Sequence, residues 1–474
     1  MSRKRQEVIV PDVTVADAGA EGKAIVRHEG MVVFVPYVVP GDVIDLKIYK
    51  KKHNYAEGIA LAVKQPSPFR VAAPCRHFGQ CGGCKWQPLQ YEQQLAFKQK
   101  QVRDNLERLG HIDTQGMRPI LGSDRIYEYR NKLEYTFSNK RWIAAGEERP
   151  DDDPGAAGFH VPTVFDKVLP IEKCLLQPEP SNLIRNAVRD YALEHRFPFY
   201  DIRNHTGFLR NLVIRNTDDG QWMVTLIVAE ERPEWLFPLL EHLSAQFPQI
   251  SALLYIINTK LNDSYNDLPV HTFRGEDCII EQMERYGGGA PLRFKVGPKS
   301  FYQTNSLQAH RLYSAVAELA RLQGDEVVYD LYTGTGTIAQ FVADRCRRVV
   351  GIEYVEEAIA DARENARING IVNCEFFAGD MAKVLTDDFV QAQGRPDVVI
   401  TDPPRSGMHP SVVEQLLRME PARIVYVSCN PATQARDLAM LTAKYEVGAL
   451  QPVDMFPHTQ HVENVAELTL KQKK

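Results

Sequence analysis

The stretch Val327-Val328-Tyr329-Asp330-Leu331-Tyr332-Thr333-Gly334-Thr335-Gly336-Thr337 decides the fold of the last third of this 474-residue chain. Its apolar start predicts a buried β-strand that ends near Tyr332. The glycines that follow let the backbone approach a ligand closely, and a helix is predicted from Ile338 to Cys346. The order of strand, glycine-rich turn and helix is typical of ligand-binding α/β domains.

Three further strands are predicted, and each leads to an acidic residue. Arg348–Glu353 ends in Glu353, Glu375–Phe377 leads to Asp380, and Asp397–Thr401 leads to Asp402. Glu353 lies 17 residues after Gly336, close to the spacing of ~20 expected for an acid that binds ribose hydroxyl groups. No third glycine follows at the spacing that a dinucleotide pyrophosphate requires. Acids at successive strand ends suit S-adenosylmethionine instead, and the sequence predicts a Rossmann-like α/β domain with a mixed sheet and helices on both faces.

A cysteine follows the next strand. The run Ile424-Val425-Tyr426-Val427-Ser428-Cys429-Asn430-Pro431 predicts a buried strand with Cys429 just past its carboxyl end. Thr433 is predicted to cap a helix over residues 434–443. A thiol near a helix N-terminus can have a lowered pKa and act as a nucleophile. The alternative is a small buried core residue.

The residues after Asp402 bear on which atom is modified. Asp-Pro-Pro followed by an aromatic residue is typical of enzymes that methylate exocyclic amines. Here Asp402-Pro403-Pro404 is followed by Arg405, and a cysteine ends the next strand. This combination favours carbon as the methylated atom.

The first seventy residues differ in composition from the rest of the chain. Five short apolar runs broken by turns predict a small oligonucleotide-binding-like β-barrel over residues 1–66. Residues 1–70 carry eleven basic and eight acidic residues, whereas the whole chain has a net charge of −5. Lys50-Lys51-Lys52-His53-Asn54-Tyr55 suits phosphate binding and base stacking, with a solvated loop as the alternative. The segment resembles a TRAM domain, an RNA-binding barrel.

Three cysteines lie close together in Cys75-Arg76-His77-Phe78-Gly79-Gln80-Cys81-Gly82-Gly83-Cys84. In a reducing compartment this spacing predicts a metal site, either iron–sulfur or zinc, and a redox pair is the rival interpretation. Cys174 is the best candidate for a fourth ligand. We expect Cys278, Cys346 and Cys374 to be structural.

The middle of the chain shows no obvious chemistry. A helix is predicted from Leu89 to Leu109 with Gly110 as its stop, and residues 120–290 alternate strands and helices. Residues 208–215 and 223–229 predict a hairpin, and residues 150–158 a flexible polar tip. The basic residues Arg130, Lys132, Arg210 and Arg215 could contact RNA, but exposed strand faces are the simpler interpretation.

Length and composition bound the class of protein. A chain of 474 residues predicts two or three domains, and 44% hydrophobic with 25% charged residues is ordinary for globular proteins. The N-terminus has no apolar run of a signal peptide, and no segment resembles a membrane-spanning helix. The sequence therefore predicts a soluble, cytoplasmic protein that does not contact a membrane.

Five motifs together resemble the RNA uracil-5-methyltransferase family, in the family's order. They are Phe301-Tyr302-Gln303-Thr304-Asn305, Asp330-Leu331-Tyr332-Thr333-Gly334-Thr335-Gly336, Asp402-Pro403-Pro404-Arg405-Ser406-Gly407, Ser428-Cys429-Asn430-Pro431 and His461-Val462-Glu463-Asn464. The resemblance covers essentially the whole chain. With the TRAM-like start and the four cysteines, it points to the iron–sulfur branch, whose known members methylate 23S ribosomal RNA. Thr337 and the acidic hairpin at 150–153 depart from the family pattern.

The resemblance implies specific roles. Cys429 is the nucleophile and Glu463 the general base, although His461 has a comparable claim on sequence alone. Phe301 either stacks on the target base or is a core aromatic. S-adenosylmethionine is bound by Gln303, Tyr332, Thr337, Glu353, Asp380 and Asp402. A [4Fe-4S] cluster, with zinc as the alternative, is bound by Cys75, Cys81, Cys84 and Cys174.

We expect a monomer of three units. They are a TRAM-like barrel (1–66), a central α+β domain with the cysteine cluster (67–90 and 120–290), and a methyltransferase domain (91–119 and 291–474), on which the helix at 89–110 packs. The partner is RNA. Rival functions are the same chemistry on transfer RNA, an inactive RNA-binding ribosome assembly factor, and an amine methyltransferase.

Overall fold

The N-terminal region is a closed five-stranded barrel. The computed structural model describes residues 8–144, 146–148, 153–162 and 164–472, so residues 1–7 of the predicted barrel lie outside it. The strands run in the order β1-β2-β3-β5-β4, and alternate residues such as Val33, Ile44 and Leu46 fill the interior. The predicted barrel is confirmed. Its strands are β1 (Val8–Ala18), β2 (Ala24–His28), β3 (Met31–Val35), β4 (Val43–Lys51) and β5 (Tyr55–Gln65), with a 3-10 turn at Ala20–Gly22.

The long helix α1 (Tyr91–Gly110) packs against the C-terminal domain although the central domain separates the two in sequence. Val102 and Leu106 are fully buried in the C-terminal core. Gly110 is not the stop that the sequence predicted, because it is still helical and His111 takes the left-handed conformation, with φ of 52°. A Cβ at Gly110 would lie 2.8 Å from the Ala435 carbonyl oxygen, so glycine is required there for close helix packing.

The central domain is built on a seven-stranded sheet with the order β12-β11-β10-β9-β6-β7-β8. The predicted hairpin is confirmed as the antiparallel pair β9–β10. The first part of the predicted polar tip, residues 150–152, lies outside the described residues. The elements are β6 (Lys132–Ser138), β7 (Ala156–His160), β8 (Val168–Pro170), α2 (Ser181–Glu194), β9 (Leu209–Asn216), β10 (Trp222–Val228), α3 (Pro233–Gln246), β11 (Ile250–Ile257) and β12 (His271–Gly275).

Two arginines of this sheet are buried, which corrects the expectation of exposed strand faces. The Arg210 guanidinium donates to the carbonyl oxygens of Asn258 and Lys260, and Arg215 donates to the Ser300 carbonyl oxygen at 2.5 Å. Each side chain therefore anchors a loop that crosses the sheet. Sequence alone did not identify these partners because they lie 48 to 85 residues away along the chain.

The C-terminal domain is a mixed sheet with the order β17-β16-β15-β18-β19-β21-β20. Strands β15 to β19 are parallel, and β21 and β20 are antiparallel. The strands are apolar on both faces because α4, α5 and α6 cover one face and α1, α9 and α10 the other. The predicted Rossmann-like sheet is confirmed. Its strands are β15 (Val327–Leu331), β16 (Arg348–Glu353), β17 (Cys374–Ala378), β18 (Val398–Thr401), β19 (Arg423–Ser428), β20 (Tyr445–Val453) and β21 (Glu463–Leu470).

A hairpin of β13 (Ile279–Met283) and β14 (Leu292–Val296) crosses residue 290, the expected domain boundary. Its apolar side chains belong to the same core as α4 and α6. The remaining helices are α4 (Ser306–Ala320), α5 (Thr337–Val342), α6 (Glu356–Ile368), α7 (Met381–Val384), α8 (Asp387–Gln393), α9 (Pro410–Met419) and α10 (Pro431–Leu441), with a 3-10 turn at Ala343–Arg345. Within the described ranges, none of the helices has the length and apolar character that a membrane crossing requires.

Two predicted helix ends differ from the structure. The helix after the glycine turn ends at Val342 and continues as a 3-10 turn, not as α-helix to Cys346. Helix α10 begins at Pro431, where a missing N–H costs nothing, and Asn430 caps it by accepting from the Ala432 N–H at 3.1 Å. The predicted cap, Thr433, lies inside the helix.

Candidate active site

The carboxyl ends of β15 and β16 bring the glycine turn against Glu353. The Gly334 N–H donates to Glu353 Oε2 at 3.2 Å, and the Val355 N–H donates to Oε1 at 3.0 Å. Tyr332 begins the turn in the left-handed conformation, with φ of 64°. Burial and the nearby carboxylates, including those of Asp380 and Glu353, raise the pKa of Tyr332 to about 12. Tyr332, Glu353 and Asp380 therefore share one cleft, as the sequence predicted for neighbouring strand ends.

Asp380 lies at the next strand end and caps helix α7. Its Oδ1 accepts from the Ala382 N–H at 3.0 Å, and Lys383 Nζ lies 3.7 Å from Oδ2. The carboxylate is partly exposed, and its second oxygen faces no closer partner in these contacts. An acid held in this way can accept a hydrogen bond from a ligand that enters the cleft.

Gln303 and Thr337 meet at the hydroxyl group of Tyr313. Thr337 Oγ1 lies 3.2 Å from this hydroxyl, and the Gln303 side chain interacts with it as well. The carboxyls of Asp402 and Asp330 also act on it, and with burial they raise the pKa of Tyr313. Sequence reasoning missed Tyr313, because a tyrosine on an amphipathic helix gives no signal that its hydroxyl joins two predicted ligand residues.

Two carboxyls lie beside this group, of which Asp330 is buried and Asp402 is partly exposed. Burial raises the pKa of Asp330 to about 7, although Thr333 Oγ1 and the Ala339 N–H both donate to its Oδ2. Its Oδ1 is buried without a hydrogen-bond partner. Burial, reinforced by the charge of Asp330, likewise raises the pKa of Asp402 to about 7. Buried carboxyls with perturbed pKa values in a cleft are typical of functional sites.

Cys429 and Glu463 lie side by side on antiparallel strands. Ser428 on β19 pairs with Asn464 on β21, so the residues that flank this pair, Cys429 and Glu463, face each other across the sheet edge. Cys429 is half-buried and Glu463 is 7% exposed. The sequence predicted this proximity only by resemblance, since 34 residues separate the two.

The electrostatics of Cys429 correct one prediction. The sequence predicted a lowered pKa near a helix N-terminus, but burial, Glu463 and Asp402 together raise the pKa of the thiol to about 11. Arg405 opposes this shift and does not cancel it. The loop that carries Arg405 is bonded to the residues after Cys429, because Asn430 Nδ2 donates to the Arg405 carbonyl oxygen at 3.0 Å and Thr433 Oγ1 donates to it at 3.2 Å.

The pKa values of Glu463 and His461, the two candidate bases, are shifted in opposite directions. Burial and Asp402 raise the pKa of Glu463 to about 8. Burial and the charges of Arg405, Lys98 and Arg130 lower the pKa of His461 to about 4. A general base works best when its pKa lies near the working pH, so the structure favours Glu463 over His461.

Phe301 is not a core residue. Its side chain is 70% exposed at the entrance to the site, and its carbonyl oxygen lies 3.5 Å from Thr335 Oγ1. An exposed aromatic ring beside the cleft is available to stack on a base.

The four predicted cysteine ligands are brought together from two segments. Cys81, Cys84 and Cys174 are partly buried, and the pKa of each thiol is raised by this burial and by neighbouring cysteines of the set, in Cys84 to about 12 and in Cys174 to about 11. All eight cysteines are free thiols. Across the described part of the chain, no group of three or more His, Cys, Asp or Glu side chains is arranged to hold a metal ion.

Known proteins resemble almost the whole chain. Residues 276–472 match the family model described as tRNA (uracil-5-)-methyltransferase, and residues 3–61 match the TRAM domain, which confirms that prediction. A protein of Bacteroides thetaiotaomicron, named as an uncharacterized RNA methyltransferase, is 58% identical over 458 residues, which cover 95% of this chain and 100% of the relative. A relative of the same name from Porphyromonas gingivalis is 51% identical and covers 96% of this chain and 98% of its own length.

A solved structure resembles the chain as well. The tRNA (uracil-54, C5)-methyltransferase of Pyrococcus abyssi, in complex with S-adenosyl-L-homocysteine, superposes with a TM-score of 0.74 at 28% identity. The match covers 96% of this chain and 100% of that protein, so the order of barrel, central domain and C-terminal sheet is shared along the full length.

Proposed function

Because the chain belongs to the RNA uracil-5-methyltransferase family, as its motifs predicted, we propose that it methylates carbon 5 of a uridine in 23S ribosomal RNA through a covalent adduct with Cys429. It is an S-adenosylmethionine-dependent RNA methyltransferase. The observation that carries the adduct mechanism is the pairing of β19 with β21, which sets the Cys429 thiol opposite the Glu463 carboxyl at the edge of the sheet.

The thiol performs the first step. Carbon 5 of uracil is a weak nucleophile until Cys429 Sγ adds to carbon 6, which breaks the C5–C6 double bond and leaves an enolate. S-adenosylmethionine supplies the methyl group that carbon 5 then receives. The charge of Arg405 lowers the pKa of the thiol and so favours the thiolate against the two carboxyls.

The carboxyl performs the last step. Glu463 takes the proton from carbon 5, the electron pair re-forms the C5–C6 double bond, and the Cys429 thiolate leaves carbon 6. A pKa of about 8 lets the carboxylate hold this proton and release it to solvent near neutral pH. Residues Gln303, Tyr332, Thr337, Glu353, Asp380 and Asp402 hold the cofactor in this proposal, and the acids Glu353 and Asp380 suit its ribose and adenine.

RNA that contains 5-fluorouridine tests the nucleophile. Fluorine at carbon 5 cannot leave as a proton does, so the methylated adduct is trapped on the enzyme. We expect the parent protein to form an adduct stable on a denaturing gel, and Cys429→Ala to form none. Cys278→Ala changes a free cysteine directly before β13 and is the matched control. An adduct with Cys429→Ala would refute the assignment.

The resemblance to the iron–sulfur branch supports a cluster for which Cys75, Cys81, Cys84 and Cys174 would be the ligands. Their thiols repel one another as thiolates in a dry environment, and bound iron would reverse this repulsion. Iron is preferred to zinc here only through the resemblance to the iron–sulfur branch, since thiolates bind both metals. When bound, such a cluster supplies cross-links between Cys174 and residues 75–84, and the reaction needs no electron from it.

Anaerobic purification tests the cluster. We expect a brown protein with about four iron atoms per chain, and loss of colour in Cys84→Ser. A colourless protein with one zinc ion would reject iron.

The RNA substrate has two candidates. The TRAM barrel and the cysteine set support 23S ribosomal RNA, through their resemblance to the iron–sulfur branch. The Pyrococcus abyssi relative, which acts on tRNA uracil 54, favours transfer RNA. Mapping of 5-methyluridine in RNA from cells with and without the gene decides: loss from 23S RNA supports the proposal, and loss from transfer RNA alone overturns it.

A further inference from the structure

The segment that leads to Glu463 is hydrogen-bonded to the end of residues 75–86, here called the cysteine loop, which carries Cys75, Cys81 and Cys84. Residues 454–462 connect β20 to β21, and His458 in this segment is buried with φ of 65°. The N–H groups of Lys85 and Trp86, the two residues after Cys84, both donate to the His458 carbonyl oxygen, at 2.8 Å and 3.0 Å. The predicted metal loop and the predicted base therefore belong to one bonded unit, although the sequence gives no sign of it.

Gln94 on α1 is the side chain that joins the two segments. Its amide is completely buried. Nε2 donates to the carbonyl oxygens of Trp86 at 3.1 Å and Leu89 at 2.8 Å, and it lies 3.1 Å from His458 Nδ1. Oε1 accepts from the His458 N–H at 2.9 Å. One amide thus holds both the chain after Cys84 and the main chain of His458.

The nucleophile is held by different contacts. Cys429 lies between Ser428, whose Oγ accepts from the Asn430 N–H at 3.1 Å, and the capped start of α10. The described contacts of residues 428–430 run to the Arg405 loop and to β21, and none runs to Gln94 or to residues 84–89. Damage to Gln94 should therefore move Glu463 and spare Cys429.

We propose that Gln94 is a positioning residue for the catalytic base, and that through it the cysteine loop sets the place of Glu463. This inference rests on the proposed adduct mechanism. It assigns the cysteine loop a role in the last chemical step, which is removal of the carbon 5 proton, and not in formation of the adduct.

Gln94→Met tests the inference, because methionine has a similar volume and no hydrogen-bonding amide. On RNA with ordinary uridine we expect turnover to fall at least about 10-fold, while the covalent methylated adduct accumulates on a denaturing gel. On 5-fluorouridine RNA, where proton removal is not needed, adduct formation should stay within about threefold of the parent rate. Gln99→Met is the matched control on the same helix, since Gln99 contacts residues 118–120 and not the base segment.

The outcomes separate the two proposals. Equal loss of both reactions in Gln94→Met, or no loss in either, overturns the positioning role. Absence of the 5-fluorouridine adduct in the parent protein refutes the adduct mechanism itself.

Hydrogen exchange tests the same link without measuring catalysis, and it also shows whether the variant is folded. We expect hydrogen exchange in residues 454–463 to become faster in Gln94→Met and not in Gln99→Met, with the β1–β5 barrel unchanged. Gln94→Glu, which keeps an acceptor for the His458 N–H, should restore part of the protection. Unchanged exchange in residues 454–463 would contradict the proposed link.

Discussion

Two sets of charged side chains around the segment before β21 differ in whether the charges are paired. Lys98 and Asp454 are completely buried and form an ion pair of 2.5 Å, and the Tyr91 hydroxyl donates to the same carboxylate at 2.8 Å. Glu463 is also buried and Asp402 is partly exposed, but the charges of these two carboxyls repel each other, and the charge of Arg405 opposes the rise in the pKa of Glu463. The paired charges fix the segment before β21, whereas the unpaired carboxyls keep their protons up to neutral pH, which suits proton transfer.

Removal of the unpaired base should have the largest effect. Glu463→Gln keeps the size of the side chain and cannot accept the carbon 5 proton, so we expect turnover to fall about 10²–10⁴-fold. The methylated adduct should accumulate on ordinary RNA. The measurement is transfer of labelled methyl groups together with denaturing gels. His461→Ala is the control, and greater loss in that variant than in Glu463→Gln would make His461 the base.

Removal of one partner of the paired set should cost stability. Lys98→Met leaves Asp454 buried without its cation, and we expect the free energy of unfolding to fall by about 3–5 kcal/mol. Urea unfolding followed by circular dichroism measures it. The double variant Lys98→Met/Asp454→Leu removes both charges and should recover most of the loss. A double variant as unstable as the single one would show that lost packing, and not an unpaired charge, is responsible.

Site residues that directly follow a predicted strand could be found from the sequence. Glu353 and Asp402 follow apolar strands, and Cys429 follows another, so their common edge follows from the rule that parallel strands end on one side. The barrel followed from five short apolar runs that are separated by turn residues. These features depend on local pattern and on one topological rule, and the sequence carries both.

Residues whose role depends on partners far away in the sequence could not be found in this way. Gln94 and His458 are 364 positions apart, and no periodicity links them. The raised pKa of Cys429 depends on two carboxyls that come from other strands, so the nearby helix N-terminus alone gave the wrong direction. Arg210 looked like a surface residue because its partners are loop carbonyl oxygens, which any sequence provides.

The pH dependence of turnover sharpens the contrast further. Glu463 must be deprotonated to act, and its pKa is about 8. We therefore expect the rate of proton removal from the methylated adduct to fall about tenfold per pH unit below this value. The rate of proton removal from a preformed adduct, measured by pH jump, isolates this step. A rate that falls only below about pH 4 would match the pKa of His461 instead.

Asp330 offers the smallest test, because it is an unpaired buried carboxyl that touches no reacting atom. Its pKa is about 7 in the folded protein and lower in the unfolded chain, so the folded state binds the proton more tightly. The stability that this group contributes is complete at low pH and is lost as the pH rises through 7. Asp330→Asn can keep the bonds from Thr333 and Ala339 and has no charge to bury.

We therefore expect the free energy of unfolding of Asp330→Asn, relative to the parent, to improve by about 2–3 kcal/mol between pH 5 and pH 8. Urea unfolding at both pH values measures the difference. Asp397→Asn, a carboxyl at the opposite end of the sheet that accepts from the Val327 N–H at 2.9 Å, is the control and should show no such gain. A difference independent of pH would mean that Asp330 is already ionised at pH 5, and that burial without a cation is not what separates the two sets of charges.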